Sequence, residues 1–418
     1  MRAFPKSLAK IVTEKWNNLV AGDYTAPECP PFALLRELFE ITYLAANLPE
    51  ESRYPAFNIV AVPQGHSPDN FATRTWRFDS PRGLTIEELR RLAPATDLRK
   101  SAILVTWDAG WEIAGLVDLG TSWHRARMGL EYRYNHPSCL LLQVHRPGRL
   151  CVYQGPYHIA TLTDGILQRP TVDLHLFLHS SVQSGLASME DRFSRPKREH
   201  PREALEFEFL ALLNVFSGIA NSISLQGHGG AVVLVEQKVQ PPPELIKIKY
   251  RQKSDVLRDA FIKFMSARHS LADFVVKQEN GTKAPDGKHA ISEIQARDEF
   301  ALLVEAIRFV SKLADCDGAI VLSTGLQLLG FGGEIRADLR EGAKVFEVVD
   351  EMAGKHRKLD AEQFGQRHRS AIKLASQDAA FRVLVISQDG PISAIWPDDK
   401  RVFVKKGVNL VNINMPWA

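Results

Sequence analysis

Arg367, His368 and Arg369 stand in a row two residues after Gly365. Three cationic or chargeable side chains side by side repel one another and need either solvent or an anion to face. The run SAIKLA follows directly and reads as a helix. The free N–H groups and positive dipole end of that helix then lie beside the arginines. Cations there have the wrong sign for stability. A bound phosphate reverses this, because guanidinium forks and backbone N–H groups converge on one anion. Gly365 supplies a backbone turn that other residues resist. A charge run by itself usually marks a solvated helix face. Glycine, two arginines, a histidine and a helix start together describe a cradle for a polyphosphate.

A second element is Asp317-Gly318-Ala319, which leads into the apolar run IVLS. The aspartate is expected to project from a sheet end. Gly318 and Ala319 carry almost no side chain, so a flat ligand such as a base or ribose can approach the backbone. Taken alone, an Asp-Gly pair is an ordinary turn. A third element is the strand-like FRVLVI, which ends in Ser387-Gln388.

These three elements in this order resemble the diadenylate cyclase domain. The matching residues are Asp317, Gly318 and Ala319; then Gly365, Arg367, His368, Arg369 and Ser370; then Ser387 and Gln388. GGAVVLVE, at 229–236, is similar to the first core strand of that family, so the resemblance spans roughly residues 203–412. It implies that two ATP molecules are joined into cyclic di-AMP with release of two pyrophosphates. It further implies that Arg367 and Arg369 hold phosphate oxygens, with His368 beside them. Asp317 would be the catalytic residue, binding Mg²⁺ or Mn²⁺ or polarising the attacking 3′-hydroxyl. Gly318, Ala319, Gly365, Gln366, Ser370, Ser387 and Gln388 would complete the ATP site. Each domain holds one ATP, so the resemblance implies a homodimer or higher homo-oligomer with cyclase domains face to face. Two departures stand out. The family usually has threonine where this chain has Gln366, and Gly333–Phe364 reads as a loop that is longer and more charged than in simpler members. The alternative reading is a nucleotide-binding sensor of the same fold without catalysis.

The rest of the chain must position these elements. At 418 residues it exceeds the size at which single cores stop growing, about 250–300 residues, and is expected to form at least two domains. With 45% hydrophobic and 24% charged residues it has the composition of a globular protein, not of a disordered one. The densely charged stretch 189–206, with Pro196 and Pro201, reads as exposed. The expected division is a sensor or regulatory domain at 1–190, a linker at 191–202 and the cyclase-like domain at 203–412. What the first domain senses, small molecule or protein, is not written in its residues.

Residues 1–190 open with helical patterns, and Thr85 with Glu88 forms a capping box. β-rich runs broken by Asp-Ala-Gly, Arg-Pro-Gly and Gly-Pro turns follow. This predicts an α+β domain with antiparallel hairpins. In the second half, Leu205, Phe209, Leu212, Phe216, Ile219 and Ile223 have helical spacing. Two further helices are expected over SDVLRDAFIKFMSA, capped by Ser254, and DEFALLVEAIRFVSKLAD. Buried strands follow GHGG and Asp317-Gly318, and two tight strand pairs complete a mixed sheet flanked by helices. No internal repeat stands out in the residues.

Four cysteines without metal-type spacing fit a reducing compartment. No apolar run of about 18 residues stands out, and the first twenty residues do not form a secretory signal. The chain therefore reads as cytoplasmic with no membrane partner. A net charge of +3 with interspersed acids does not predict a nucleic-acid partner. His175 and His179 lack a third ligand, so they read as a polar face and not a metal pair. Trp107, Trp111 and Trp123 read as core, and Cys316 as a small buried residue.

Overall fold

The computed structural model describes residues 3–18, 28–50, 53–68, 73–120, 123, 139–155, 157–168, 173–193, 201–227, 229–279, 288–349, 355–388 and 392–408. The protein is mixed α and β, with two mixed sheets. It divides into two compact units: residues 1–170 with the last two residues, and residues 171–416.

The first unit holds helices α1 (Pro5–Lys15), α2 (Phe32–Asn47) and α3 (Ile86–Leu92). Its eight strands are β1 (Phe57–Pro63), β2 (Arg74–Gly83), β3 (Ser101–Trp107), β4 (Trp111–Asp118), β5 (Leu140–Arg146), β6 (Arg149–Gln154), β7 (Tyr157–Thr163) and β8 (Ile166–Gln168). They form one sheet in the order β2-β4-β3-β1-β5-β6-β7-β8. The hairpins are antiparallel, but β1 runs parallel to β3. The alternating apolar residues of β1 serve both faces. Phe57, Ile59 and Ala61 pack with the apolar sides of the three helices. Val60 and Val62 join the second core with Trp123. Thr85 accepts from the Glu88 backbone N–H at 3.2 Å and starts α3, half of the expected capping box. Trp107, Trp111 and Trp123 are buried, as expected.

The second unit holds α4 (Asp173–Ala187), α5 (Pro201–Gln226), α6 (Val256–Glu279), α7 (Lys288–Lys312) and α8 (Gln366–Ala375). Its nine strands are β9 (Gly230–Val235), β10 (Ile246–Ser254), β11 (Ala319–Ser323), β12 (Leu328–Ile335), β13 (Lys344–Val348), β14 (His356–Leu359), β15 (Phe381–Ile386), β16 (Ile392–Asp398) and β17 (Arg401–Lys405). The order is β10-β12-β11-β9-β15-β16-β17-β13-β14. Ser254 ends β10, and its hydroxyl accepts from Val256 N–H at 3.5 Å. Helix α8 lays Ala371, Ile372, Leu374 and Ala375 on one face of the sheet, against Val383, Val385 and Ile395.

Four expectations need correction. The units divide after Pro170, not near residue 190, because α4 packs with α5 and β16. Arg382, on β15, fastens it there: the guanidinium donates to Phe177 O at 3.1 Å, to Ser180 Oγ at 2.9 Å and to Glu236 Oε1 at 3.0 Å. The expected linker 191–202 begins in a short 3₁₀ turn at Glu190–Arg192 and ends inside α5. The charged stretch 333–364 is not an open loop but carries the β13–β14 pair. Finally, Cys316 is exposed. One segment, Phe207–Ser224 of α5, is long and apolar enough to cross a membrane, and 67% of it is buried inside the fold.

Candidate nucleotide site

A pocket of about 570 Å³ opens at one end of the second sheet. Parallel β9 and β11 begin there, antiparallel β12 and β15 end there, and α8 points its N-terminus at it. The crossover between β9 and β11 runs through α6 and α7, so their first residues arrive together at one sheet end.

Asp317, Gly318 and Ala319 line this pocket from the start of β11. Gln366, Arg367 and Ser370 line it from the first turn of α8, and Gln388 from beyond β15. Three stretches well apart in the sequence therefore meet around one cavity. Gly365 is the N-cap of α8, extended at φ −63° and ψ 162°, with no side chain capping the helix. The first-turn N–H groups are left to an incoming acceptor.

His368, Arg369 and Ser387 are not among the lining residues. His368 Nε2 shares a hydrogen bond with Ser393 Oγ at 3.0 Å, and its ring stacks on Phe364 at 5.6 Å. Burial, and then the Lys406 ammonium, lower its pKa below the usual imidazole value. Arg369 donates to Glu362 Oε2 at 2.9 Å. Of the basic triad, Arg367 is the member that lines the cavity.

Sequence reasoning missed part of the wall. Gly229 lines it from just before β9, Gly230 and Ala231 from β9, and Glu334 from β12. Glu334 accepts from Arg336 Nη2 at 2.9 Å, and this hydrogen bond lowers its pKa from the usual carboxylate value. The signal was GFGGEI: two adjacent glycines make room for another chain segment. Gly318, at φ +110°, uses that room, since a Cβ on it would lie 2.6 Å from the Gly332 carbonyl carbon. Gly229, at φ +65°, lets Arg367 lie close: a Cβ there would be 3.0 Å from Arg367 Nη1. Asp315 also lines the pocket, paired with Lys312.

The cavity is thus acidic on the β11–β12 side and cationic on the α8 side. Among the described residues, no group of three or more His, Cys, Asp or Glu side chains is placed to hold a metal ion. Besides Asp315, which is paired with Lys312, two carboxylates, Asp317 and Glu334, share the wall. That set suits a hard divalent ion that completes its shell with phosphate oxygens and water. Of the histidines read as a polar face, His179 lies on α4 and is exposed, and the His175 side chain lies outside the described residues.

The comparisons with known proteins bear on the first unit. A family model described as a probable sensor domain, DACNV, matches residues 24–118, and this is the N-terminal sensor domain of DAC proteins. The match runs over α2 and β1 to β4. No curated protein matches. A crystal structure described as a hypothetical membrane spanning protein from Bacillus cereus is 13% identical, covering 55% of this chain and 74% of that one at a TM-score of 0.22. At that score it carries no argument about fold.

Proposed function

We propose that the second unit is a diadenylate cyclase regulated by the first. The observation that carries this reading is the meeting, in one cavity of about 570 Å³, of Asp317-Gly318-Ala319 with Gln366, Arg367, Ser370 and Gln388. The DACNV match in front of it supports a sensor-linked cyclase.

The chemistry is two phosphoryl-type transfers. In each, a 3′-hydroxyl oxygen of one ATP bonds to the α-phosphorus of the other. The α–β anhydride bond breaks, and pyrophosphate leaves with its electron pair. The hydroxyl proton passes to a base, the role the reading gives to Asp317. Arg367 and the α8 N–H groups neutralise the triphosphate. Mg²⁺ or Mn²⁺, held by Asp317 and Glu334, would lower the charge on the phosphates. Gly318 and Ala319 leave the backbone open to ribose or base. Because one cavity holds one ATP, the reaction requires two chains facing each other, as a homodimer or larger homo-oligomer. A cytoplasmic setting, where ATP is abundant, belongs to the same proposal.

The test is direct. Purified protein is incubated with ATP and Mg²⁺ or Mn²⁺, and the products are analysed by mass spectrometry, with Asp317→Asn in parallel. Cyclic di-AMP from the wild type alone supports the cyclase and the role of Asp317. A second reading, a nucleotide-binding sensor without catalysis, is favoured by the orientation of His368 and Arg369 away from the cavity. Saturable ATP binding without product, lost in Arg367→Ala, would replace the first reading with the second.

A further inference from the structure

We infer that the chain carries one sheet design twice, and that the first version is sealed at the place where the second opens to nucleotide. The second clause rests on the nucleotide reading above. The first stands on topology.

Seven strands of the first sheet run β2-β4-β3-β1-β5-β6-β7, and seven of the second run β10-β12-β11-β9-β15-β16-β17. Replacing β1 to β4 by β9 to β12, and β5 to β7 by β15 to β17, converts one order into the other. The senses match as well. β1–β3 and β9–β11 are the parallel pairs. Around them, β1–β5 and β9–β15, β3–β4 and β11–β12, and β2–β4 and β10–β12 are antiparallel. So are β5–β6 and β15–β16, and β6–β7 and β16–β17. A helix precedes the central strand in both, α2 and α5, and helices join the second strand to the third, α3 in one and α6 with α7 in the other. The second version inserts the β13–β14 pair and adds it beyond β17.

One detail is too local to follow from strand order. Gly115 on β4 has φ +154°, and a Cβ there would lie 2.0 Å from Trp76 O. Gly330 on β12 has φ +146°, and a Cβ there would lie 2.4 Å from Tyr250 O. Gly115 pairs with Arg77 and Leu104; Gly330 pairs with Arg251 and Val321. An exposed aromatic residue followed by arginine thus meets the same irregular glycine in both sheets.

The mouths differ. The first rungs of the central antiparallel ladder are Phe57↔Val144 and Asn58↔Gln143 in one sheet, Gly230↔Ile386 and Ala231↔Val385 in the other. Where Gly230 and Ala231 leave the cavity open, Phe57 and Asn58 are fully buried. The Asn58 amide donates to Ser101 O at 2.9 Å and to Leu98 O at 3.2 Å, and Gln143 donates to Asn58 Oδ1 at 2.7 Å. This buried amide pair ties β1, β5 and the start of β3 together across the position that a nucleotide would need. Among the described residues, the place for a nucleoside triphosphate is therefore the cavity of the second unit. Among its described residues, the first unit keeps the frame of that sheet with Asn58 and Gln143 where the second has its opening.

Two measurements on the full chain test this. Calorimetric titration with a non-hydrolysable ATP analogue and Mg²⁺ should give one site per chain, lost in Arg367→Ala. Two sites, or binding that survives Arg367→Ala, would overturn the inference. Hydrogen exchange on Asn58→Ala, with the isosteric Asn58→Asp should the first fail to fold, should rise at least tenfold in β1, β3 and β5 and stay unchanged in β9, β11 and β15. Unchanged exchange in the first sheet means that no lock exists and also overturns it. Absence of any nucleotide binding by the wild type sinks the function proposed for the second unit, and the exchange result then decides the sealed mouth by itself.

Discussion

Arg369 Nη1 donates to Glu362 Oε2 across 2.9 Å, and this pair turns the second arginine of the basic triad away from the cavity that Arg367 lines. Both partners are partly exposed, so the pair is a weak restraint, worth about 0–1 kcal/mol. Glu362→Gln should release Arg369 toward the phosphates and raise ATP affinity by about two- to fivefold, the size of that restraint. Titration calorimetry reads this directly. An unchanged or weaker affinity would mean that Arg369 has no reach into the site.

Cys316 is exposed and lines the candidate pocket beside Asp317. Burial pushes the Cys139 thiol up to about 12, and burial with the nearby Glu28 carboxylate pushes Cys29 up to about 11. Cys151 is buried. Mass spectrometry after brief alkylation at pH 8 should find Cys316 labelled first. Added ATP and Mg²⁺ should slow that labelling at least several-fold. Equal rates with and without nucleotide would place the ligand elsewhere.

His368 titrates below its ordinary range because burial and Lys406 disfavour its charged form. The unfolded chain, with an ordinary histidine pKa of about 6.5, therefore takes up a proton that the folded chain resists. The stabilisation is fully present above that value and is lost as pH falls through the lowered folded value. Thermal melts from pH 7.5 to pH 5 should show the second unit losing stability, and His368→Gln should flatten that slope. A variant with the parental slope would assign the acid sensitivity to another group.

Gly318 combines φ +110° with a neighbouring carbonyl carbon 2.6 Å from where a Cβ would stand. Gly318→Ala should cost about 1–3 kcal/mol from backbone strain, seen as a Tm lowered by several degrees. It should also weaken nucleotide binding, since Asp317 must shift with it. A fully stable variant with parental affinity would show that the close approach of β11 to β12 is dispensable.

Much of this architecture could be read from residues. The runs AVVLV, AIVLS and FRVLVI are apolar, short and bounded by glycine or charge, so their strands were legible. The Thr85 cap was legible because capping is local. The β13–β14 pair was not, because Lys355, His356, Arg357 and Lys358 lie at a sheet edge where no burial demands apolar residues. The polar β2 escaped a specific reading for the same reason. Gln366, Arg367 and Ser370 line the cavity, but the facing of His368 was not readable, since Ser393 lies 25 residues away and its contact is tertiary. The repeated sheet was hidden for a different reason: strand order and sense survive when side chains are exchanged, so Asn58 can stand where its counterpart has Ala231.

The two outer strands of the second sheet share one trait. On β10, Lys247, Lys249, Arg251 and Lys253 alternate along the strand, and on β14 His356, Arg357 and Lys358 are exposed. Unpaired sheet edges are templates for adding foreign strands, and rows of cations blunt them. Two such edges repel each other, so sheets of neighbouring molecules are kept from joining end to end even at high concentration. The same repulsion fades within about 10 Å at 0.1 M salt, which makes this protein's colloidal behaviour a matter of ionic strength more than of its modest net charge.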